Sequence, residues 1–366
     1  MNAVLHVMNY GASYRGNFIE SLENLDENLQ KEGFKNVYLF CESASKNDAS
    51  VWIKEMHDRG HVTEFLTSSP KDNVELIKRM ISEHSVKLVH THFITMEQFL
   101  DVRNAVPKNI PIVMHMHNHS VQGNLIKEFL RRRIYKRCIF LACSNSVFES
   151  VKRDYPGNEK YEIDNGVNFS RLDSFAEVTP EEYGISEDSA KLLIFGFDFY
   201  RKGVDLALKA VNELRKGGKN YTLMISLSTN FEYVEEQIKL ILGEMPDWVK
   251  VIKARNDVAT LYNYADIFLS PSREEGLPYS VIEAGYSKCS VVLSNISAQA
   301  HLKLKYGYWF KSEDVADLKE KILLAEKEHA DKLANLDSVH DYMRQNYALS
   351  KWSEQVISLY KKILER

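Results

Sequence analysis

No stretch of this chain approaches the ~18 consecutive apolar residues that a membrane-crossing helix requires, so no transmembrane segment is expected. The amino end, MNAVLHVMNYG, has neither the basic flank nor the long apolar region of a secretory signal, and the cytosol is the expected location. An excess of one charge sign is also missing. The formal net charge is −4, which leaves no global basic field for nucleic acid. Cysteine is scarce. Cys41, Cys138, Cys143 and Cys289 lie far apart or in apolar surroundings and form no CxxC pair, so they read as buried thiols in a reducing compartment. Internal repeats and low-complexity segments are absent too. What remains is 366 residues, 44% apolar and 27% charged, the composition of a globular chain long enough for two domains.

Short β-branched or aromatic runs alternate with amphipathic stretches. Val4–Met8, Val37–Phe40, Lys87–His92, Ile112–His117 and Ile139–Cys143 read as strands, with helical patterns such as Phe18–Lys31 and Asn73–Glu83 between them. The pattern fades over the polar stretch Arg171–Gly184 and restarts at Lys191–Phe195. Val204, Leu208, Val211 and Leu214 follow at helical spacing. Thr222–Ser226, Val249–Ile252, Ile267–Ser270 and Ser290–Leu293 then continue as strands. This alternation predicts two α/β, doubly wound units with parallel sheets. The expected division is 1–170, 171–349 and a terminal helix 350–366, with Trp352, Val356, Leu359 and Ile363 on one stripe. Ligands of such sheets bind at the carboxyl ends of the strands, where the strand order reverses.

The segment SPSREEGLPYSVIEAG carries the most chemistry. A strand ends at Ser270, Glu275 and Gly276 turn the chain, and Pro278 opens a helix, with Glu283 inside it. The free N–H groups of a first helical turn favour an anion. A carboxylate on each side of that turn can hold sugar and ribose hydroxyls. The same residues also read as a solvated acidic turn and an ordinary helix glutamate. Between the strand at Lys191–Phe195 and the next helix lie Arg201 and Lys202, paired cations able to bind a diphosphate or to form a solvated basic turn. In the first unit, Gly11 and Gly16 flank the loop after the first strand, where glycine permits close backbone approach.

SREEGLPYSVIEA (Ser272–Ala284) resembles the donor-binding motif of family 4 retaining glycosyltransferases (glycosyl transferases group 1), with its Glu-x7-Glu pattern. The resemblance runs along nearly the whole chain. The Tyr161–Val167 stretch, YEIDNGV, is similar to the family's inter-domain "IPNGV" segment, LYNYADIFLSPS (Leu261–Ser272) to the strand leading into the donor loop, and WSEQVISLYKKI (Trp352–Ile363) to the terminal helix that crosses back to the first domain. The resemblance implies a GT-B fold, two Rossmann-like domains facing a cleft. It implies transfer of a sugar from a nucleotide-diphosphate donor, with a UDP-sugar expected, to a glycan or lipid-linked acceptor in cell-surface polysaccharide synthesis. Retention of configuration and no metal or other cofactor are also implied. Arg201 and Lys202 would stabilise the leaving diphosphate, as in a subgroup that includes lipopolysaccharide-core glucosyltransferases. Glu275 would position the sugar and Glu283 the ribose, with Gly16, Gly276, Leu277 and Pro278 also lining the donor. His117 falls at the family's "HD/HG" position beside the transferred sugar. The chain departs from the family at Phe197, where an arginine is common, at Asn118, and in the glycine-free loop Ser294–His301.

His115, His117 and His119 alternate along one strand pattern and His90 and His92 along another. Period two puts such residues on one face, so a metal-dependent hydrolase stands as an alternative function. A non-catalytic partner subunit is another. KEFLRRRIYKR (Lys127–Arg137) is a basic helix with apolar residues interspersed. It suits peripheral contact with an anionic membrane or a solvated face. Any attraction would be local, because residues 1–170 hold 21 Lys+Arg and 21 Asp+Glu.

Overall fold

The computed structural model describes residues 1–12, 15–119, 125–255, 257–330 and 335–366. It divides into two compact units, Met1–Gly166 with Leu349–Arg366, and Val167–Ala348. The division thus falls four residues before the expected 170/171 boundary, and the terminal helix belongs to the first unit.

The first unit is a seven-stranded sheet of β1 (Asn2–Met8), β2 (Phe34–Phe40), β3 (Val62–Phe65), β4 (Val86–His92), β5 (Ile112–Met116), β6 (Cys138–Ala142) and β7 (Lys160–Glu162). Their order is β3-β2-β1-β4-β5-β6-β7, and every pairing is parallel. The central strands are buried on both faces, which is why they read as continuous apolar runs. The terminal helix Leu349–Leu364 supplies Trp352, Val356, Leu359, Tyr360 and Ile363 to this core. Gly166 makes that packing possible. A Cβ there would lie 2.8 Å from both Leu349 Cα and Trp352 Cβ.

The second unit has six parallel strands: β8 (Ala190–Phe195), β9 (Tyr221–Leu227), β10 (Val249–Lys253), β11 (Ile267–Ser270), β12 (Ser290–Ser294) and β13 (Tyr308–Phe310). Their order is β10-β9-β8-β11-β12-β13. In both sheets the winding reverses beside the first strand, between β1 and β4 and between β8 and β11. Both units are therefore doubly wound. Three strands that the sequence pattern did not reveal, β3, β7 and β13, are all sheet edges of three or four residues.

Candidate functional site

In the second unit the loops leaving β8 and β11 lie side by side at the reversal point. A glycine decides how closely they approach. Gly203 has φ +69, and a Cβ on it would stand 2.0 Å from the Pro271 carbonyl oxygen. No other residue fits there. Next to it, the Arg273 N–H donates to the Arg201 carbonyl at 2.8 Å. The Arg273 guanidinium also grips Asp205 at 2.7 and 2.9 Å and lies 3.8 Å from the centre of the Tyr200 ring.

This fastening brings together three of the expected residues. Lys202 Nζ donates to Glu275 Oε1 at 2.6 Å, and Arg201 Nη1 to Glu275 Oε2 at 3.3 Å. The Ser272 hydroxyl donates to the same carboxylate at 2.8 Å. Lys202 is 8% exposed and Glu275 5%, so this is a desolvated pair. Burial lowers the Lys202 pKa, while Glu275 opposes that shift. Arg201 is further held by Asp198 at 2.9 Å and the Glu274 carbonyl at 3.0 Å. Phe197, which stands where a family arginine is common, sets its ring 5.3 Å from the Arg201 guanidinium and 4.8 Å from Lys202 Nζ. That is a cation–π platform beneath both charges.

The loop Ser294–His301 acts on this site without glycine. Gln299 Nε2 donates to the Ser270 carbonyl at 3.1 Å, and the Ser294 hydroxyl donates to the Ser272 carbonyl at 2.6 Å. Both side chains are fully buried. They fix the backbone from which Glu275 projects. Neither residue is conspicuous in sequence, and the only signal was the departure of this loop from the glycine-bearing pattern.

Glu283 lies in the helix Tyr279–Tyr286 and is buried. It pairs with Arg171 and accepts from the Tyr262 hydroxyl at 2.9 Å. Burial first, then the Glu283 charge, raise the Tyr262 pKa well above its usual value. The helix begins one residue later than expected, with Pro278 as its cap. Its first-turn amides are partly committed. Tyr279 N–H bonds the Leu277 carbonyl at 2.9 Å, and Val281 and Ile282 N–H both bond the Pro278 carbonyl at 3.0 and 3.2 Å. An anion there meets fewer donors than an open helix end provides.

In the first unit Gly16 has φ +58 and begins the helix Gly16–Gln30. Residues 13 and 14 of the preceding loop lie outside the described residues. His6 on β1 is in register with His90 on β4, and His92 with His115 on β5, so four imidazoles share one sheet face. His117 follows just past the end of β5, which stops at Met116. His119 does not join the cluster geometrically. The contacts form a chain: Asn165 Nδ2 to His117 Nδ1 at 3.2 Å, His117 Nε2 to His92 Nδ1 at 3.2 Å, His92 Nε2 to His6 Nδ1 at 3.0 Å, and His6 Nε2 to Asn36 Oδ1 at 3.0 Å. Both ring nitrogens of His117 are thus engaged within its own unit. Burial pushes all five imidazoles down, His6 to about 4 and His115 to about 3. They are neutral at pH 7.

Residues 176–338 match the family described as "Glycosyl transferases group 1". The chain is 30% identical over 125 residues to the lipopolysaccharide glucosyltransferase WaaG of Escherichia coli (strain K12), a stretch covering 34% of this chain and 33% of that protein. Aligned stretches of the curated relatives span 21% to 51% of their lengths. The crystal structure of a glycosyltransferase from Rickettsia africae ESF-5 has a TM-score of 0.82 at 18% identity, covering 100% of this chain and 99% of that one. That of Anabaena HepE in complex with UDP-glucose has a TM-score of 0.77 at 16% identity, covering 98% and 99%. Together with the two reversed parallel sheets, these matches give the chain a GT-B fold, with residues 176–338 similar to the glycosyl transferases group 1 family.

Proposed function

We propose that this protein transfers a sugar from a nucleotide-diphosphate donor, a UDP-sugar, to a glycan or lipid-linked acceptor of cell-surface polysaccharide synthesis, with retention of configuration. The observation that carries this reading is the Arg201–Lys202–Glu275 constellation at the reversal point of the second sheet. The UDP donor is supported by the HepE complex with UDP-glucose, and the pathway by the lipopolysaccharide role in the name of WaaG.

In this reading Arg201 and Lys202 stabilise charge that grows on the leaving diphosphate. Glu275 aligns both cations and offers its remaining lone pairs to hydroxyls of the sugar. Glu283, aligned by Arg171 and Tyr262, accepts from the ribose. Among the described residues, no side chain beside these two carboxylates offers itself as a double-displacement nucleophile. The acceptor therefore attacks from the face the diphosphate leaves, and the leaving phosphate takes its proton. Fixed cations serve the diphosphate, so turnover should survive exhaustive EDTA treatment.

The test is turnover of a panel of nucleotide sugars by wild type, Arg201→Ala and Lys202→Ala. Loss of one aimed donor costs ~2.7–4 kcal/mol in the transition state, roughly 10²–10³ in kcat. Full kcat in both variants with the true donor would remove the diphosphate role.

Peripheral contact with an anionic membrane, through 127–137, belongs to the same proposal. The helix Leu125–Ile134 leaves Ile126, Phe129 and Leu130 exposed, at 71%, 65% and 45%, at the i, i+3, i+4 spacing of one face. Lys127, Arg131, Arg132 and Arg133 lie on the same helix. Exposed apolar groups among cations suit a lipid surface better than water.

A further inference from the structure

Apart from His117, whose position the family resemblance sets beside the transferred sugar, the histidine cluster of the first unit has no part in the proposed transfer chemistry, and its composition is unusual for a core. Five imidazoles, three of them fully buried and His115 3% exposed, occupy the carboxyl ends of β1, β4 and β5. Hydrogen bonding among them is incomplete. Among the described residues, neither ring nitrogen of His115 has a hydrogen-bond partner, nor does Nε2 of His90. Asn165, which faces the same region, leaves its Oδ1 without a partner. Buried polar groups without partners are uncommon and costly, and each calls for a physical explanation.

We propose that His92, His115 and His117 bind a borderline transition-metal ion of the Zn²⁺ class. One nitrogen from each lies within 4.8 Å of the others. His92 Nδ1 and His117 Nε2 are 3.2 Å apart. Two nitrogens on a tetrahedral ion with bonds of ~2.0–2.1 Å stand about 3.3–3.4 Å apart. The spacing therefore suits two lone pairs sharing an ion as well as it suits an N–H···N bond. His115 decides between them, because an ion supplies the partner that its ring otherwise lacks.

The surrounding groups complete the arrangement. Ligating histidines hold their second nitrogen with an outer hydrogen bond. His92 Nε2 can donate to His6 Nδ1, and His6 Nε2 in turn to Asn36 Oδ1. Asn165 sits on His117 Nδ1. Rotating its amide by half a turn, an assignment that nitrogen and oxygen positions leave open, presents Oδ1 to a His117 Nδ1–H and satisfies that oxygen too. An imidazole donor set without carboxylate or thiolate favours Zn²⁺, Ni²⁺ or copper over Mg²⁺, Ca²⁺ or Mn²⁺. The ion would tie β4 to β5 and set the orientation of His117. It takes no part in holding the diphosphate.

The experiment is full-length protein expressed with added zinc, passed through gel filtration and analysed for metal by mass spectrometry. A parallel sample is stripped and loaded with Co²⁺. The expected result is about one zinc per chain, the strong visible absorption of tetrahedral cobalt, and a higher melting temperature for loaded than for stripped protein. His115→Leu should lose at least tenfold in bound zinc and lose the cobalt spectrum. It should still fold, because leucine fills the buried space of the ring with an apolar side chain of similar size. Zinc retained equally by wild type and His115→Leu, or no zinc retained by wild type, would overturn the proposal.

Discussion

Glu275 and Glu283 are both buried, yet their partners differ, and the difference predicts distinct kinetics. Glu275 meets Ser272 and the two cations proposed to face diphosphate, Arg201 and Lys202. Glu283 meets Arg171 and Tyr262. The ribose is unchanged during transfer, so its contact acts about equally in ground and transition states. Glu283→Gln should mainly raise donor KM and weaken binding of bare UDP. The sugar gains positive character as its bond to phosphate breaks, so Glu275→Gln should mainly lower kcat. Bare UDP should bind this variant no more weakly than wild type, because two cations lose a competing carboxylate. Calorimetry with UDP and steady-state kinetics check both. Lost UDP affinity in Glu275→Gln with full affinity in Glu283→Gln would reverse the placement.

At the scale of elements, the helix Leu125–Ile134 combines three exposed apolar side chains with a run of cations. Its end is anchored by Arg137, which donates to the Val106 and Pro107 carbonyls. The preceding turns are the part proposed to face lipid. Each cation near an anionic surface contributes about 1 kcal/mol, and the attraction is screened by salt. Replacing Arg131, Arg132 and Arg133 by Gln should weaken binding to anionic vesicles by up to about a hundredfold at low salt. Phe129→Ala should weaken it with less salt dependence. Vesicle co-sedimentation across ionic strengths measures both, and equal binding by wild type and the triple variant would leave the helix an ordinary surface element.

For the whole molecule, the returning helix matters most. Leu349–Leu364 is last in sequence yet packs within the first unit, where Trp352 is 3% exposed and Tyr360 donates to or accepts from His90 Nδ1 at 2.5 Å. Trp352→Ala should destabilise the first unit by about 3–5 kcal/mol. Urea unfolding followed by probes confined to that unit would read the shift in midpoint. An unchanged midpoint would mean that the helix contributes little to that core.

Much of this architecture is written in local sequence. Central strands of parallel sheets are buried on both faces, so Val4–Met8, Lys191–Phe195 and Ile267–Ser270 stand out as apolar runs. Edge strands are short, so VTEF, KYE and YWF, of four, three and three residues, have no such signature. The carboxylates and cations were recognisable as residue types at loop positions, because charge next to a strand end is conspicuous. Their pairing was not. That Lys202 meets Glu275, 73 positions away, depends on a reversal in strand order and on the space that Gly203 leaves beside Pro271. Likewise, His6 carries no local mark that sets it with His90, His92, His115 and His117. Parallel register alone aligns His6 with His90, 84 residues on, and puts the imidazoles of these strands on one face. Composition and periodicity act over a few residues and so determine elements. Which elements become neighbours is decided by burial of both sheet faces at once, and only that tertiary condition assembles the charged cluster and the histidine cluster.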